Sequence, residues 1–197
     1  MDLVTYLVER AREPDYRAVV LAHPCSGTTW LTDVLNSLGV PTLHELVRPA
    51  DPPWRVLVTY RTLGWSGPEE HLHLVRDPLA VVRSCAALFE KRPRVARDVF
   101  AQIVGDGVTA TVPKLGDLGP ASIAAWTLAV FNHRADRLVG ADGRFRIEDV
   151  ASRVVAGART NSHARDGSLG WDDLKMCRDA LWTQFRLYGY PVVRGEG

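Results

Sequence analysis

The segment Ala18-Val19-Val20-Leu21-Ala22 runs straight into His23-Pro24-Cys25-Ser26-Gly27-Thr28-Thr29-Trp30, and this junction constrains the fold more than any other part of the chain. A short, unbroken apolar run that ends at a proline and a Gly/Ser/Thr turn reads as a buried strand of a parallel sheet. Beyond the turn, Trp30, Leu31, Val34, Leu35 and Leu38 recur at helical spacing until Gly39, a residue suited to end a helix. The result is a strand, loop and helix in immediate succession.

The same grammar returns downstream. Leu72, Leu74 and Val75 form a second strand, and Pro78 opens a helix whose apolar face is Leu79, Val82, Ala86 and Phe89. Helical spacing recurs over Pro93–Val104 and Pro120–Val139, and Phe145-Arg146-Ile147 supplies a third short strand. A last helix over residues 171–188 carries Leu174, Cys177, Leu181, Phe185 and Tyr188 on one stripe, with Asp172 and Asp173 in its first turn, and stops at Gly189. Residues 49–68 and 156–170 are weakly organised and are expected to be loops over a site. Strands alternating with helices predict an α/β fold with a parallel sheet. A chain of 197 residues suits one domain, residues 1–197, able to bury a core without disulfides or a structural metal.

Charge and cysteine usage narrow the function classes. Lys and Arg total 24 against 23 Asp and Glu, so no global field recruits nucleic acid or an anionic membrane, and any anion site has to be local. Cys25, Cys85 and Cys177 are odd in number and share no C-x-x-C spacing, which argues against a disulfide framework or a zinc site. His71 and His73 alternate on a strand with no third ligand in view and read as structural. The N-terminus has no signal-peptide pattern, and no apolar run approaches the roughly 20 residues of a membrane span. A reducing cytoplasm is the expected compartment.

A strand feeding a helix through a Gly-containing turn aims several backbone N–H groups at one spot, where the helix dipole also favours an anion. Phosphate is the expected guest, with hydroxyls from Ser26, Thr28 and Thr29 and close backbone approach at Gly27. On spacing alone, a turn rich in helix-capping residues is an equal reading. Two other phosphate chemistries lack the cation they need here. A nucleotide kinase places Lys directly after the second glycine of its loop, where this chain has Thr28, and a cysteine phosphatase needs an Arg where this chain has Leu31.

The stretch Pro24-Cys25-Ser26-Gly27-Thr28-Thr29-Trp30-Leu31 resembles the P-[KR]-[ST]-G-T-T-W-L phosphosulfate loop of sulfotransferases. A second stretch, Val75-Arg76-Asp77-Pro78 with Ser84 eight positions after the arginine, is similar to the family's V-R-[ND]-P motif and its serine. Softer similarity lies in the helix from Trp126 to Arg134 with Asn132, in Arg146-Ile147-Glu148-Asp149-Val150, and in Leu169-Gly170-Trp171 with Leu187-Tyr188-Gly189-Tyr190. The resemblance implies a single three-layer domain of P-loop nucleotide-kinase-like type, with a central parallel sheet flanked by helices. It also implies transfer of a sulfuryl group from 3′-phosphoadenosine 5′-phosphosulfate to a hydroxyl or amine. Cys25, Ser26, Gly27, Thr28, Thr29 and Trp30 then hold the 5′-phosphosulfate, Arg76 and Ser84 the 3′-phosphate, and Arg159 is a further candidate for the cofactor.

Sulfuryl transfer needs a base for the acceptor's proton and cations for the developing charge, and no metal is expected. The segment after the first helix contains His44-Glu45 and Arg48, similar to a G-H-E or G-E-E-T-R segment of several sulfotransferase branches. By that resemblance Glu45 is the base, His44 its alternative and Arg48 a charge-stabilising neighbour; a solvated His-Glu pair on a surface loop is the competing reading. Cys25 departs from the family pattern, which has Lys or Arg there, so a replacement cation is expected among His23, Arg48, Arg61 and Lys114. Trp54, Tyr60 and Trp65 either cover the acceptor or pack the long loop down. The acceptor itself, a small molecule, glycan or peptide, is not encoded in these motifs, nor is the oligomeric state. A non-catalytic nucleotide-binding relative is the alternative function.

Overall fold

The computed structural model describes residues 1–44, 54–61, 69–104, 118–154 and 178–190. In chain order the elements are α1 (Leu3–Arg10), β1 (Ala18–Ala22), α2 (Thr28–Ser37), β2 (Thr42–His44), β3 (Val56–Thr59), β4 (Glu70–Val75), α3 (Pro78–Lys91), α4 (Pro93–Val104), α5 (Pro120–Val139), β5 (Arg144–Arg146), α6 (Ile147–Val154) and α7 (Arg178–Leu187). The five strands form one sheet in the order β2-β3-β1-β4-β5, and every pairing is parallel. The expected α/β fold with a parallel sheet flanked by helices is therefore present.

The chain divides into two compact units, residues 1–76 with 134–162, and residues 77–133 with 163–197. The first unit holds the whole sheet. Ala18, Val20 and Ala22 of β1, Val56 and Val58 of β3, and Leu72 and Leu74 of β4 share one face and pack with Leu3, Val4 and Leu7 of α1, Leu31, Val34 and Leu35 of α2, and Val150 of α6. The alternate residues Val19, Leu21, Leu57, Thr59 and His73 are all fully buried, so the sheet is covered on both faces, as an all-parallel sheet must be. In the second unit α3 packs with α4 and α7. There Asn132 Nδ2 donates to Gln184 Oε1 and Gln184 Nε2 to the Ala129 carbonyl, each at 2.9 Å, satisfying two buried amides.

Two expectations need correction. Residues 49–68 are not one loop: Val56–Thr59 is β3, buried throughout and paired with β1, because an apolar run this short gains its hydrogen bonds only from its neighbour. Trp54 and Tyr60, both 4% exposed, pack that strand down. The third strand is Arg144–Arg146, one residue earlier than predicted, since Ile147 already starts α6. Helix α1 was not anticipated. It is short, but Asp2 caps it, its side chain accepting from Thr5 N–H at 2.9 Å.

Candidate functional site

In open parallel sheets ligands bind beyond the carboxyl ends of the strands, where the strand order reverses. That position is β1. The chain goes from β1 to β2 and β3 on one side and then to β4 on the other. The turn after β1 is thus framed by the ends of β3 and β4.

The turn is tightly built. Ser26 N–H donates to the His23 carbonyl at 3.0 Å, Cys25 takes φ 66° and Gly27 takes φ 88°, both left-handed. The left-handed φ favours glycine at position 27, and a Cβ there would also require the tip of the Ile147 side chain, at the start of α6, to move aside. Gly27 is the N-cap of α2 and offers no side-chain cap, and the first intrahelical bond runs from Leu31 N–H to the Gly27 carbonyl at 2.9 Å. The N–H groups of Thr28, Thr29 and Trp30 therefore have no side-chain partner at the cap. By contrast α3 is capped by Asp77, which accepts from Leu79 and Ala80 N–H at 2.8 and 3.2 Å. Ser26 and Thr28 are buried and Thr29 is exposed.

Arg76 reaches this turn from the neighbouring strand. Leu74 pairs with Ala22, so Arg76 leaves the sheet level with Pro24, and its Nη1 donates to the Cys25 carbonyl at 3.0 Å. Asp77, next in sequence, spends its carboxylate on the cap of α3. Among the described residues no carboxylate meets the Arg76 guanidinium, which lies against the turn that leads into α2. The two predicted motifs thus converge through Arg76 and Cys25. Ser84 lies half-buried on α3, in the second unit.

His23 behaves differently from a cation. Its ring is fully buried, and burial pushes its pKa down to about 3 against the opposing pull of the Pro24 carbonyl. Nδ1 lies 2.8 Å from that carbonyl, which can only accept, so Nδ1 carries the proton of a neutral ring. His23 consequently cannot replace the cation expected at Cys25. Of the other three candidates, Arg61 follows β3, while Arg48 and Lys114 lie outside the described residues.

His44 ends β2, the outer strand, and pairs with Val58, which in turn pairs with Val20. Two strand spacings, about 10 Å, separate it from β1 at that level. The structure does not bring it to the turn. Glu45, Arg48 and Arg159 lie outside the described residues, as does Trp65. His73 is structural as expected: Nδ1 meets Asp136 Oδ1 at 2.9 Å, and Arg144 Nη2 reaches the same oxygen at 2.8 Å. No group of His, Cys, Asp and Glu able to hold a metal occurs among the described residues, and neither Cys25 nor Cys85 is in a disulfide. Among the described residues no helix is long and apolar enough to cross a membrane.

What sequence reasoning missed is the role of Arg76 as a brace for the turn, together with the placement of Arg61. The sequence marks both residues as candidates but not where they sit, because that depends on which strands flank β1. Compared with protein-family models, curated proteins and solved structures, the chain matches none.

Proposed function

We propose that this chain is a sulfotransferase that moves the sulfuryl group of 3′-phosphoadenosine 5′-phosphosulfate to a hydroxyl or amine acceptor in a reducing, cytoplasmic setting. The observation that carries the reading is the hydrogen bond from Arg76 to the Cys25 carbonyl, which joins the two stretches that resemble the family's cofactor motifs. The strand order β2-β3-β1-β4-β5, with the turn at its reversal point, suits a P-loop nucleotide-kinase-like fold. The donor set fits an anionic cofactor: uncapped N–H groups of α2, hydroxyls of Ser26, Thr28 and Thr29, and a guanidinium with no described carboxylate partner.

When bound, the cofactor supplies an activated sulfuryl group whose leaving group is adenosine 3′,5′-bisphosphate. The turn's N–H groups orient the 5′ end, and their fixed dipoles offset negative charge where it develops. Arg76 would hold the 3′-phosphate with the face of its guanidinium not used on Cys25. Glu45 takes the acceptor's proton in this reading, with His44 the alternative and Arg48 a neighbouring charge.

Adenosine 3′,5′-bisphosphate at about 100 times its dissociation constant should stabilise the protein by about 2.7 kcal/mol. For a chain of this length that is a rise in melting temperature of about 5–10 °C. Arg76→Ala should remove the rise, and a melting temperature in the wild type that the bisphosphate leaves unmoved would refute the proposal.

Cys25 and the neutral His23 favour one second reading, a relative that binds the nucleotide and has lost turnover. The bisphosphate would then still bind, but no acceptor would gain a sulfuryl group by mass spectrometry. Cys25→Lys separates the two, because a protein that lacks only that cation should gain turnover. Lysine at this left-handed position adds no backbone strain that cysteine does not already bear.

A further inference from the structure

The turn after β1 has an arginine on each flank, and only one of them belongs to a recognised motif. Thr59 of β3 pairs with Leu21, so Arg61, two residues on, leaves the sheet level with His23. Arg76, two residues beyond the Leu74–Ala22 pair, leaves it level with Pro24 on the other side. The two backbones are separated by two strand spacings, about 10 Å, with the turn between them.

Arg61 is held in place. Its N–H donates to Thr59 Oγ1 at 3.0 Å, and its guanidinium carbon lies 5.1 Å from the ring centre of the buried Tyr60. The side chain is half-buried, and its Nε is both buried and without a hydrogen-bond partner. Among the described residues no carboxylate meets it. Arg10 and Arg146 also have a buried Nε that makes no hydrogen bond; Arg10 is matched by Glu13, whereas Arg61 meets no carboxylate among the described residues. A guanidinium fixed on an aromatic face, with a buried donor unspent and no carboxylate partner among the described residues, is poised for an anion.

We propose that Arg61 is a second anion-binding residue of this site, and that the site takes a ligand with two separate anionic groups, one held by Arg61 and the other by Arg76. This rests on the sulfotransferase reading for which group is which: Arg76 faces the 3′-phosphate, so Arg61 takes the 5′ group and supplies the charge that Cys25 and the neutral His23 do not.

Titration calorimetry with adenosine 3′,5′-bisphosphate, 5′-monophosphate and 3′-monophosphate tests this on the wild type, Arg61→Ala, Arg61→Lys and Arg76→Ala. Arg61→Ala should weaken the 5′-monophosphate tenfold or more and leave the 3′-monophosphate within twofold, Arg61→Lys should recover most of the loss, and Arg76→Ala, which also removes the brace on the Cys25 carbonyl, should weaken both monophosphates. The unchanged 3′-monophosphate serves as the control for folding in Arg61→Ala. A wild type that binds the bisphosphate, with Arg61→Ala matching it on the 5′-monophosphate, overturns the role of Arg61 alone. Equal weakening of both monophosphates in Arg61→Ala overturns it too, since a distorted turn would act in that way. No binding of the bisphosphate to the wild type overturns the parent reading and this one with it.

Discussion

His23 is the residue at which sequence and structure part most informatively. From the sequence it counts as a candidate cation beside the turn, yet the pairing of β1 on both sides buries it completely. In the unfolded chain a histidine titrates near 6.5, whereas in the fold burial pushes it down to about 3. Between those values the unfolded state binds the proton and the folded state does not, so stability falls as pH drops through that window, by about 1 kcal/mol per pH unit. His23→Asn, whose side-chain N–H can still donate to the Pro24 carbonyl, has no such proton. Urea titrations from pH 7 to pH 4 should therefore show the wild type losing stability faster than the variant. Parallel curves would mean that the ring is not held neutral. The types of the residues in the turn were legible, because glycine and hydroxyl side chains announce a phosphate-like cradle. Charge state was not, because it is set by burial that only the finished sheet provides.

Among the elements, β1, β4 and helices α2 to α5 are readable because each carries a full apolar run or several turns of helical spacing. Strands β2 and β3 are three and four residues long and owe their extended form to pairing across the sheet, which leaves no period to read. The ties between elements are equally hidden. Glu70 at the start of β4 accepts from Tyr16 at 2.6 Å and from Tyr6 of α1 at 2.5 Å, contacts that span 54 and 64 residues. Burial first, and then the Glu70 carboxylate, raise the pKa of both phenols, so the Tyr–carboxylate bonds persist across the physiological range. Asp136 joins three elements in the same way, meeting His73 of β4 and Arg144 of β5 from the end of α5. Its side chain is 15% exposed, against 0% for His73 and 11% for Arg144, so its removal takes the shared carboxylate from a fully buried imidazole and a largely covered guanidinium. Asp136→Ala should cost about 3–5 kcal/mol, and Asp136→Asn less, as measured by urea unfolding. A loss under 1 kcal/mol in the alanine variant would show that water reaches the cluster.

At the scale of the whole molecule, the two compact units are interleaved in sequence. One is residues 1–76 with 134–162 and the other residues 77–133 with 163–197, so each is assembled from two separated stretches. Nothing in composition marks these boundaries: there is no linker at 76/77, where Arg76 is followed at once by Asp77, the cap of α3, and the boundary at 133/134 falls inside α5, a continuous 20-residue helix. A helix gains its stability cooperatively, and fraying it from the middle would expose the buried Phe131 and Asn132 on one side of the boundary and Ala135 on the other. Separate melting would need that interruption, since Asp77 and the helix it caps lie together in the second unit. We therefore expect the chain to unfold in one transition, as the single domain read from its length requires. Hydrogen exchange read by mass spectrometry through a urea series should show peptides from β1 and β4 losing protection at the same midpoint as peptides from α3 and the first half of α5. An earlier midpoint for the α3 and α5 peptides would instead make the second unit an independently melting element, and the sheet with its turn could then keep its anion site without it.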